Sequence, residues 1–215
     1  MLISYDEIFQ ILKEYNITIT GVVHIGAHEC EEIYFYEKFL KDEDIIWIEA
    51  IEEKVIQMRN LNYQNVYNHV ISDKDDEIVV FNVSNNIQSS SILDLELHKT
   101  EHPHVYYVSS FEAKTITMNT FFKNNSFDKK KYNFWNIDIQ GAELLALKGS
   151  TELLEFVNVL YLEVNEKELY KNCALLPEID DYLSTFQFKR VVTNMTEHGW
   201  GDAIYVSTKE VKHNI

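Results

Sequence analysis

The chain has 215 residues, 46% of them hydrophobic and 13% aromatic, so it can bury a sizeable core. Its net charge of −16 disfavours nucleic acids and anionic membrane surfaces as partners. No apolar run approaches the roughly 20 residues of a membrane span, and the start of the sequence lacks the pattern of a signal peptide. Cys30 and Cys173 alone cannot form a disulfide framework, so we expect a reducing, cytoplasmic location.

The first predicted element is an N-terminal helix within residues 1–18. Ser4 and Glu7 have the spacing of a capping box, and apolar residues follow at helical period. We expect this helix to pack across one end of a sheet. Residues 19–215 contain no linker, repeat or low-complexity tract, and we therefore predict that they form a single domain.

The next residues predict a strand, a turn, a helix and a second strand. Residues 19–25 form the first strand, Gly26 begins the turn, residues 34–40 belong to the helix, and the strand 45–48 ends in Glu49. Glu49 follows Gly26 by 23 residues. In nucleotide-binding sheets, an acidic residue about 20 residues after the first glycine turn accepts hydrogen bonds from ribose hydroxyls.

The glycine pattern favours an adenosine cofactor without a pyrophosphate. Only Gly26 stands where a dinucleotide fingerprint requires three glycines. S-adenosylmethionine has a ribose for Glu49 and a carboxylate for the amino end of the helix that follows Gly26. An ordinary strand-to-helix turn with a solvated Glu49 is the alternative.

The middle of the chain continues with a helix at 55–61, a strand at 66–71 that ends before Ser72 and Asp73, and another strand at 77–83. Residues 85–104 then interrupt this alternation with polar, turn-rich sequence before a strand at 114–117. At the centre of this segment are Gln88, Ser89, Ser90 and Ser91. Long irregular segments often act as lids or binding loops, so we expect this one to contact a substrate. A loosely ordered surface loop is the alternative.

Three histidines at the end of this segment raise the question of a metal ion. His98 and His102 would share one face of a helix, and His104 follows closely. Pro103 would disrupt that helix, and no cysteine or carboxylate pair stands at a familiar ligand spacing. We therefore predict no metal site.

The most informative stretch is 132–149. Residues 134–139 predict a strand buried on both faces, Gly141 a tight turn, and the following apolar stripe a helix that ends at Gly149. Asp138 lies where the strand meets the turn. Ligands of open α/β sheets bind at the carboxyl ends of the strands, so Asp138 is a candidate for chemistry, or it only caps the turn.

The remaining residues complete the sheet. A buried strand at 157–164 carries Glu163 and is followed by Asn165, a helix is predicted at 177–186, and two closing strands at 189–193 and 203–206.

At this point the sequence resembles the FkbM family in a series of blocks that span about residues 19–207. These blocks are GVVHIGAH at 21–28, IWIEA at 46–50, IDIQGAE at 137–143, LKG at 147–149 and LEV at 162–164. The family consists of S-adenosylmethionine-dependent O-methyltransferases that act on hydroxyls of sugars and polyketide-type products. The resemblance implies an α/β, Rossmann-like class I methyltransferase fold, with a mostly parallel seven-stranded sheet flanked by helices.

The resemblance also implies a cofactor shell. Gly26, Ala27, His28 and Glu29 would embrace the methionine part, and His24 belongs to the same shell. Glu49 and Ala50 would hold the ribose, Ser72 and Asp73 would lie near the adenine, and Asp138 and Gln140 would complete the shell. The chain departs from the family pattern in three places, because the usual Asp, Lys and Glu are replaced by His24, Asn136 and Gln140.

We therefore predict an O-methyltransferase that aligns an acceptor hydroxyl with the donor methyl group. Asp138 is the first candidate for the base, followed by Glu163 and His28. Contact of Asp138 with the cofactor, or with a divalent ion, is the alternative. For contacts with the acceptor we predict Gln88, Ser89, Ser90, Ser91, Glu143 and Asn165. The acidic composition favours a neutral small molecule or glycan as the acceptor. A catalytically inactive S-adenosylmethionine-binding module and an NAD-dependent oxidoreductase are the alternatives.

Overall fold

The structure, a computed structural model, describes residues 1–209. Its strands are β1 (Val22–Ile25), β2 (Ile45–Glu49), β3 (Val66–Asn68), β4 (Val70–Ile71), β5 (Ile78–Ser84), β6 (Tyr107–Ile116), β7 (Phe134–Ile137), β8 (Val159–Asn165), β9 (Phe188–Met195) and β10 (Trp200–Ser207). Its helices are α1 (Tyr5–Glu14), α2 (Ile33–Tyr36), α3 (Glu52–Asn60), α4 (His98–Glu101), α5 (Met118–Asn125), α6 (Glu143–Lys148) and α7 (Leu176–Ser184).

Seven of these strands form the main sheet, in the order β3-β2-β1-β7-β8-β10-β9. β1 runs parallel to both β2 and β7, and β7 runs parallel to β8. Only β10 reverses direction, because it pairs antiparallel with both β8 and β9. The expected α/β architecture, a mostly parallel seven-stranded sheet flanked by helices, is confirmed.

The two faces of the main sheet are covered by separate apolar clusters. Val23 and Ile25 of β1 belong to one cluster, whereas Val22 belongs to the other. Successive side chains of a strand point to opposite faces, so a strand buried on both faces must be apolar at nearly every position. This requirement is why the continuous apolar runs at β1, β2, β7 and β8 predicted these strands correctly.

The predicted N-terminal helix is confirmed as α1. The side chain of Ser4 accepts a hydrogen bond from Glu7 N at 3.3 Å, which caps the helix. The buried residues Ile8, Ile11 and Leu12 belong to the cluster that includes Val22 of β1. The helix therefore packs on a face of the main sheet, not across its end as the sequence suggested.

The second helix is shorter than predicted. α2 ends at Tyr36, and Phe39 N then donates to Tyr36 O at 3.1 Å, so the chain tightens into an i+3 turn before residue 40. The sequence analysis also missed α5. Its signal was the cap at Thr117, whose side chain accepts a hydrogen bond from Thr120 N at 3.1 Å.

A second, three-stranded sheet in the order β4-β6-β5 was not predicted. The expected strand at 66–71 splits at His69, so that β3 joins the main sheet and β4 joins the smaller one. β6 is ten residues long and pairs antiparallel with β5, whereas the sequence indicated only a strand at 114–117. Most of β6 is solvent-exposed, so it lacks the apolar pattern that marks a buried strand.

The fold brings the carboxyl ends of β1, β2, β7 and β8 to one edge of the main sheet. The smaller sheet and the irregular residues 85–106 lie on this side of the molecule, since Asn82 and Ser91 exchange backbone hydrogen bonds and Ser91 Oγ donates to Gln140 O. Among the described residues 1–209, no helix is both long enough and apolar enough to cross a bilayer.

Candidate functional site

A cavity of about 490 Å³ lies at this edge of the main sheet. Many of the residues predicted for a site line it, namely His24, Gly26, Ala27, His28, Glu49, Ala50, Gln88, Ser89, Ser90, Asp138, Gln140 and Glu163. Other predicted residues are absent from the lining, namely Glu29, Ser72, Asp73, Ser91, Glu143 and Asn165. The structure therefore brings the ends of four strands and the irregular segment together around one space.

The turn after β1 depends on Gly26. Its φ is +87°, a conformation that side chains other than hydrogen disfavour. A Cβ at this position would lie 1.8 Å from the carbonyl oxygen of Asp138. Gly26 is therefore required for the end of β1 to pass directly beside the end of β7, and Asp138 N donates to Ile25 O at 3.0 Å across the same junction.

Glu49 lies at the end of β2 and is 7% exposed. One carboxylate oxygen accepts from His28 N at 2.9 Å, and the other accepts from Ile51 N at 2.8 Å. Burial raises the pKa of this carboxyl. Each oxygen keeps a second lone pair, so a fixed carboxylate with spare acceptor capacity faces the cavity. The ring of His28 is engaged elsewhere, because its Nδ1 lies 2.9 Å from Glu31 Oε1.

An apolar wall stands beside Glu49. Ile51, Val70 and Phe81 form a buried cluster, and all three line the cavity. Ser72 lies beyond this wall, because the chain has turned toward α6, and a Cβ on Gly149 would be 2.2 Å from Ser72 O. Asp73 accepts only a 3.3 Å contact from the Ser72 hydroxyl. The residues that line this part of the cavity are thus His69, Val70 and Ile71 rather than the two that follow them.

The centre of the cavity contains two carboxylates joined by an amide. Gln140 Nε2 donates to Asp138 Oδ1 at 2.7 Å and also to Glu163 Oε2. The other end of the same amide accepts from the Tyr170 hydroxyl at 2.5 Å, and Ser91 Oγ donates to Gln140 O at 2.8 Å. These contacts hold Gln140 in a left-handed backbone conformation with φ of +56°. Asp138 remains exposed, whereas Glu163 is 5% exposed.

The environments of the neighbouring carboxyls differ. Burial raises the pKa of Glu163 well above its usual value, and the nearby Asp138 raises it further. Burial also raises the pKa of Glu143 to about 7. Glu143 accepts from Ile139 N at 2.9 Å and Gly141 N at 3.2 Å, so it holds the turn together from behind the cavity. Glu163 and Asp138 thus form a pair in which a buried carboxyl keeps its proton beside an exposed carboxylate. Such pairs are suited to acid–base chemistry.

A further carboxylate extends this acidic region. Asp202 pairs in register with Glu163 across β10 and β8, and burial raises its pKa. It accepts hydrogen bonds from the Tyr161 hydroxyl and from Leu2 N. The first residues of the chain therefore lie along the cavity, which Leu2 helps to line.

Two of the departures from the family pattern are neighbours. His24 of β1 and Asn136 of β7 are direct partners in the parallel register. The Tyr36 hydroxyl joins them, because it lies 3.2 Å from His24 Nδ1 and accepts from Asn136 Nδ2 at 3.1 Å. Burial lowers the pKa of His24. Asn136 lines the cavity, and its Oδ1 is buried without a partner, so a hydrogen-bond donor of a ligand would satisfy it.

The far end of the cavity is formed by residues that the sequence analysis did not assign to a substrate. Tyr170, Trp200 and His98 line it beside Ser89 and Ser90. Tyr170 and Trp200 belong to one apolar cluster with Leu95 and Leu169. No signal in the sequence placed these residues together, because they come from separate connections that meet only in the folded chain.

Three predicted acceptor contacts lie outside the lining for local reasons: Glu143, which holds the turn from behind the cavity, Ser91 and Asn165. Ser91 uses its hydroxyl on Gln140 O, and its backbone exchanges hydrogen bonds with Asn82. Asn165 is 1% exposed at the end of β8, and neither polar atom of its side chain has a partner. Glu29 pairs with Lys54 on the surface of α3.

Comparison with known proteins gives a family match. The model described as the Methyltransferase FkbM domain matches residues 24–191, which is well over half of the chain. That range includes Gly26, Glu49, Asp138 and Glu163. A comparison with curated proteins found no match.

Solved methyltransferase structures are similar at low identity. Magnesium protoporphyrin IX methyltransferase (ChlM) from Synechocystis PCC 6803 with bound SAM has 12% identity and a TM-score of 0.48, over 95% of this chain and 78% of that one. For the CurJ carbon methyltransferase the identity is 9% and the TM-score is 0.47, over 97% of this chain and 54% of that one. For a SAM-dependent methyltransferase from Aquifex aeolicus the identity is 11% and the TM-score is 0.40, over 95% of this chain and 89% of that one. These structural similarities are distant. The family is assigned from the family match, and the fold from the strand order.

Proposed function

Because the chain belongs to the FkbM family of S-adenosylmethionine-dependent methyltransferases, we propose that it is an O-methyltransferase that acts on a hydroxyl of a sugar, a glycan or a small natural product. The observation that carries this proposal is the position of Asp138. Its carboxylate is exposed to the cavity at the end of β7, and Gln140 fixes it beside the buried Glu163. This is where an acceptor hydroxyl would need a base.

The cavity suits the cofactor. Glu49 has acceptor lone pairs for the two ribose hydroxyls, and its oxygens are fixed by backbone hydrogen bonds. The apolar wall of Ile51, Val70 and Phe81 suits the flat adenine ring. At the other end, the unpartnered Asn136 Oδ1 is an acceptor for the methionine ammonium group. Gly26 lets the end of β1 lie directly beside Asp138, so that the groups on both strand ends face the same cavity.

S-adenosylmethionine supplies a methyl group that is already activated on a sulfonium. The protein must then orient the acceptor oxygen toward that methyl and exclude water, a contribution of order 10⁵ to 10⁸ in effective molarity. A carboxylate oxygen of Asp138 receives the hydroxyl proton, which contributes about 10² to 10⁴ more. Glu163 retains its own proton, so that its neutral carboxyl supports the charge of Asp138 instead of opposing it.

The electrostatics support a cationic donor and a neutral acceptor. Asp138, Glu163 and Asp202 lie along one side of the cavity. Because Glu163 keeps its proton, the negative potential comes mainly from Asp138; it favours the sulfonium before transfer, and this attraction is lost once the product is neutral. An anionic acceptor would be repelled by the same potential. Ser89, Ser90, Tyr170 and Trp200 offer hydroxyls and flat rings, which suits an acceptor that carries several hydroxyls.

The proposal is tested by a screen of hydroxyl acceptors with a labelled methyl donor, followed by Asp138→Asn. Asparagine keeps the shape of Asp138 and removes its charge, so turnover at saturating donor should fall by about 10²-fold or more while S-adenosylhomocysteine affinity and melting temperature stay near those of the parent. Asp73→Asn is the matched control, because Asp73 is outside the lining. Retained turnover in Asp138→Asn contradicts the assignment of the base.

The same screen separates the other functions. Tight binding of S-adenosylhomocysteine without methyl transfer to any hydroxyl acceptor would indicate a cofactor-binding module. Binding of NAD in place of S-adenosylmethionine would indicate an oxidoreductase. Methyl transfer to carbon or nitrogen would keep the methyltransferase and overturn the O-methyl specificity.

A further inference from the structure

A cluster of histidines lies at the far end of the cavity and has no part in the proposed methyl transfer. His98 is on α4, and His102 follows that helix directly. His198 comes from the turn between β9 and β10 and reaches the same place. The ring centroids of His98 and His102 are 4.8 Å apart, and those of His102 and His198 are 4.5 Å apart. The sequence could show the first pair but not the third ring.

These separations suit imidazoles that share one metal ion. With Zn–N bonds of about 2.0–2.1 Å and tetrahedral angles, two imidazole rings on one zinc ion have centroids about 5 Å apart. The ring nitrogens of the three histidines do not all lie within 4.8 Å of one another, since such groups among the described residues occur only elsewhere. Binding therefore requires His102 or His198 to rotate. Both side chains are partly exposed, whereas His98 is buried.

His98 supplies an independent sign of a missing ligand. Its ring is 6% exposed, and its Nδ1 is buried without a hydrogen-bond partner. An unsatisfied buried polar atom of this kind normally destabilises a fold unless a ligand completes it. His98 also lines the cavity and stacks against Tyr170, with ring centroids 5.3 Å apart.

His198 has the partner that a metal-binding histidine usually has. Its Nδ1 lies 3.2 Å from Glu101 Oε2. A carboxylate at this position accepts the Nδ1 proton, fixes the tautomer and leaves Nε2 available for an ion. Lys167 holds the other oxygen of Glu101 at 3.1 Å, so the carboxylate is itself oriented.

We propose that His98, His102 and His198 form a binding site for a first-row transition-metal ion, with Zn²⁺ as the expected occupant and Glu101 as the group that orients His198. Imidazole ligands favour Zn²⁺ and its neighbours over Mg²⁺ or Ca²⁺, which prefer oxygen. The carboxylates Asp138 and Glu163 are the weaker candidate, because the Gln140 amide nitrogen already lies between them.

Three histidines leave a fourth coordination position for a water molecule or another ligand, and His98 and His102 both line the cavity. If the proposed function holds, an acceptor oxygen would occupy that position. The binding of the ion itself does not depend on that function, so the two proposals can fail separately.

The test uses the full chain without a polyhistidine tag, stripped with EDTA and dialysed. Zn²⁺ binding is measured by calorimetry, and Co²⁺ is added as a spectroscopic probe whose visible absorption reports tetrahedral nitrogen ligands. We expect saturable binding of one ion per chain with micromolar or tighter affinity. His102→Ala and His198→Gln should each weaken Zn²⁺ binding by at least about tenfold and reduce the Co²⁺ absorption.

His104→Gln is the matched control, because His104 is exposed on the same segment and its ring is 6.0 Å from that of His102. It should leave the affinity unchanged, and melting temperatures in EDTA should show that the variants fold. Absence of saturable binding to the parent overturns the proposal. So does an equal loss in His104→Gln, or a loss in Asp138→Asn together with retention in both histidine variants, since the ion would then bind the carboxylates.

Discussion

Replacement of Gln140 by Met tests whether its amide holds the central carboxylates in place. Methionine has nearly the shape of glutamine but cannot donate a hydrogen bond. In the parent, Gln140 Nε2 donates to Asp138 Oδ1 at 2.7 Å and to Glu163 Oε2. Without this bridge Asp138 is free to turn toward solvent, so we expect Gln140→Met to weaken the attraction between Asp138 and the sulfonium of the donor.

The magnitude follows from the strength of one such bond. Hydrogen bonds to charged groups contribute about 1.5–3 kcal/mol. Asp138 is exposed, so solvent replaces part of the lost interaction, and we take the lower end of that range as the upper limit of the effect. The expected loss of S-adenosylmethionine affinity is therefore several-fold, up to about tenfold.

The assay needs no acceptor. S-adenosylmethionine carries a positive sulfonium and S-adenosylhomocysteine does not, so the ratio of their affinities measures the attraction of the nearby carboxylate. Calorimetry with both ligands at one pH gives this ratio for each protein. We expect a weaker preference for S-adenosylmethionine in Gln140→Met than in the parent.

Tyr170→Phe is the matched control for orientation. It removes the hydroxyl that bonds to Gln140 Oε1 but leaves the donating nitrogen in place. Its affinity ratio should lie between those of the parent and Gln140→Met. Equal ratios in all three proteins would refute the role given to the amide, and a parent that binds both ligands equally would show that no charged carboxylate lies near the sulfonium.

Two further predictions concern the cofactor and the buried acid. Glu49→Ala should weaken S-adenosylhomocysteine binding by about 1.5–3 kcal/mol in calorimetry, whereas Asp73→Ala should not, and an unchanged affinity in the first variant would remove the ribose assignment. The pKa of Glu143 is raised to about 7, so the folded state keeps this proton to a higher pH than the unfolded state does. The free energy of unfolding should therefore fall as the pH rises from about 4.5 through 7, by a total of about 3 kcal/mol. Glu143→Gln should flatten this dependence in denaturant titrations, and a parallel curve would contradict it.

The parts of the fold that the sequence predicted well are those with the strongest local signals. β2 and β7 are buried at every position, and their apolar runs leave no other interpretation. The place of Asp138 followed directly, because the strand end and the turn at Gly141 bracket it. The position of Glu49 at the end of β2 was predicted in the same way, from the apolar run that precedes it.

What the sequence could not predict depends on contacts between distant segments. The split at His69 sends one half of an apparent strand into a second sheet, and this displaces Ser72 and Asp73 from the cavity. β6 is mostly exposed, so no apolar period marks it. His198 reaches His102 only because the turn between β9 and β10 meets α4, and no local pattern encodes that contact.

Two of the positions that depart from the family pattern, His24 and Asn136, are neighbours on adjacent strands, which accounts for their joint replacement. His24 and Asn136 pair in register and share the Tyr36 hydroxyl, so the usual Asp and Lys would stand side by side as an ion pair. Here a neutral pair takes their place, since burial lowers the pKa of His24. His24→Asp alone would leave a buried carboxylate without a partner and should destabilise the fold by about 3–5 kcal/mol, as should Asn136→Lys alone.

The double variant should then recover part of that loss. If the two positions act as a pair, denaturant titrations of both single variants and the double variant should give a double variant more stable than the sum of the single effects, by at least about 1 kcal/mol. Asp73→Asn combined with His24→Asp is the control, because Asp73 lies away from the pair and its effect should add. Additive losses in the paired variant would mean that His24 and Asn136 changed independently, and S-adenosylhomocysteine affinity measured on the same proteins would show whether the charge of this pair matters to the cofactor.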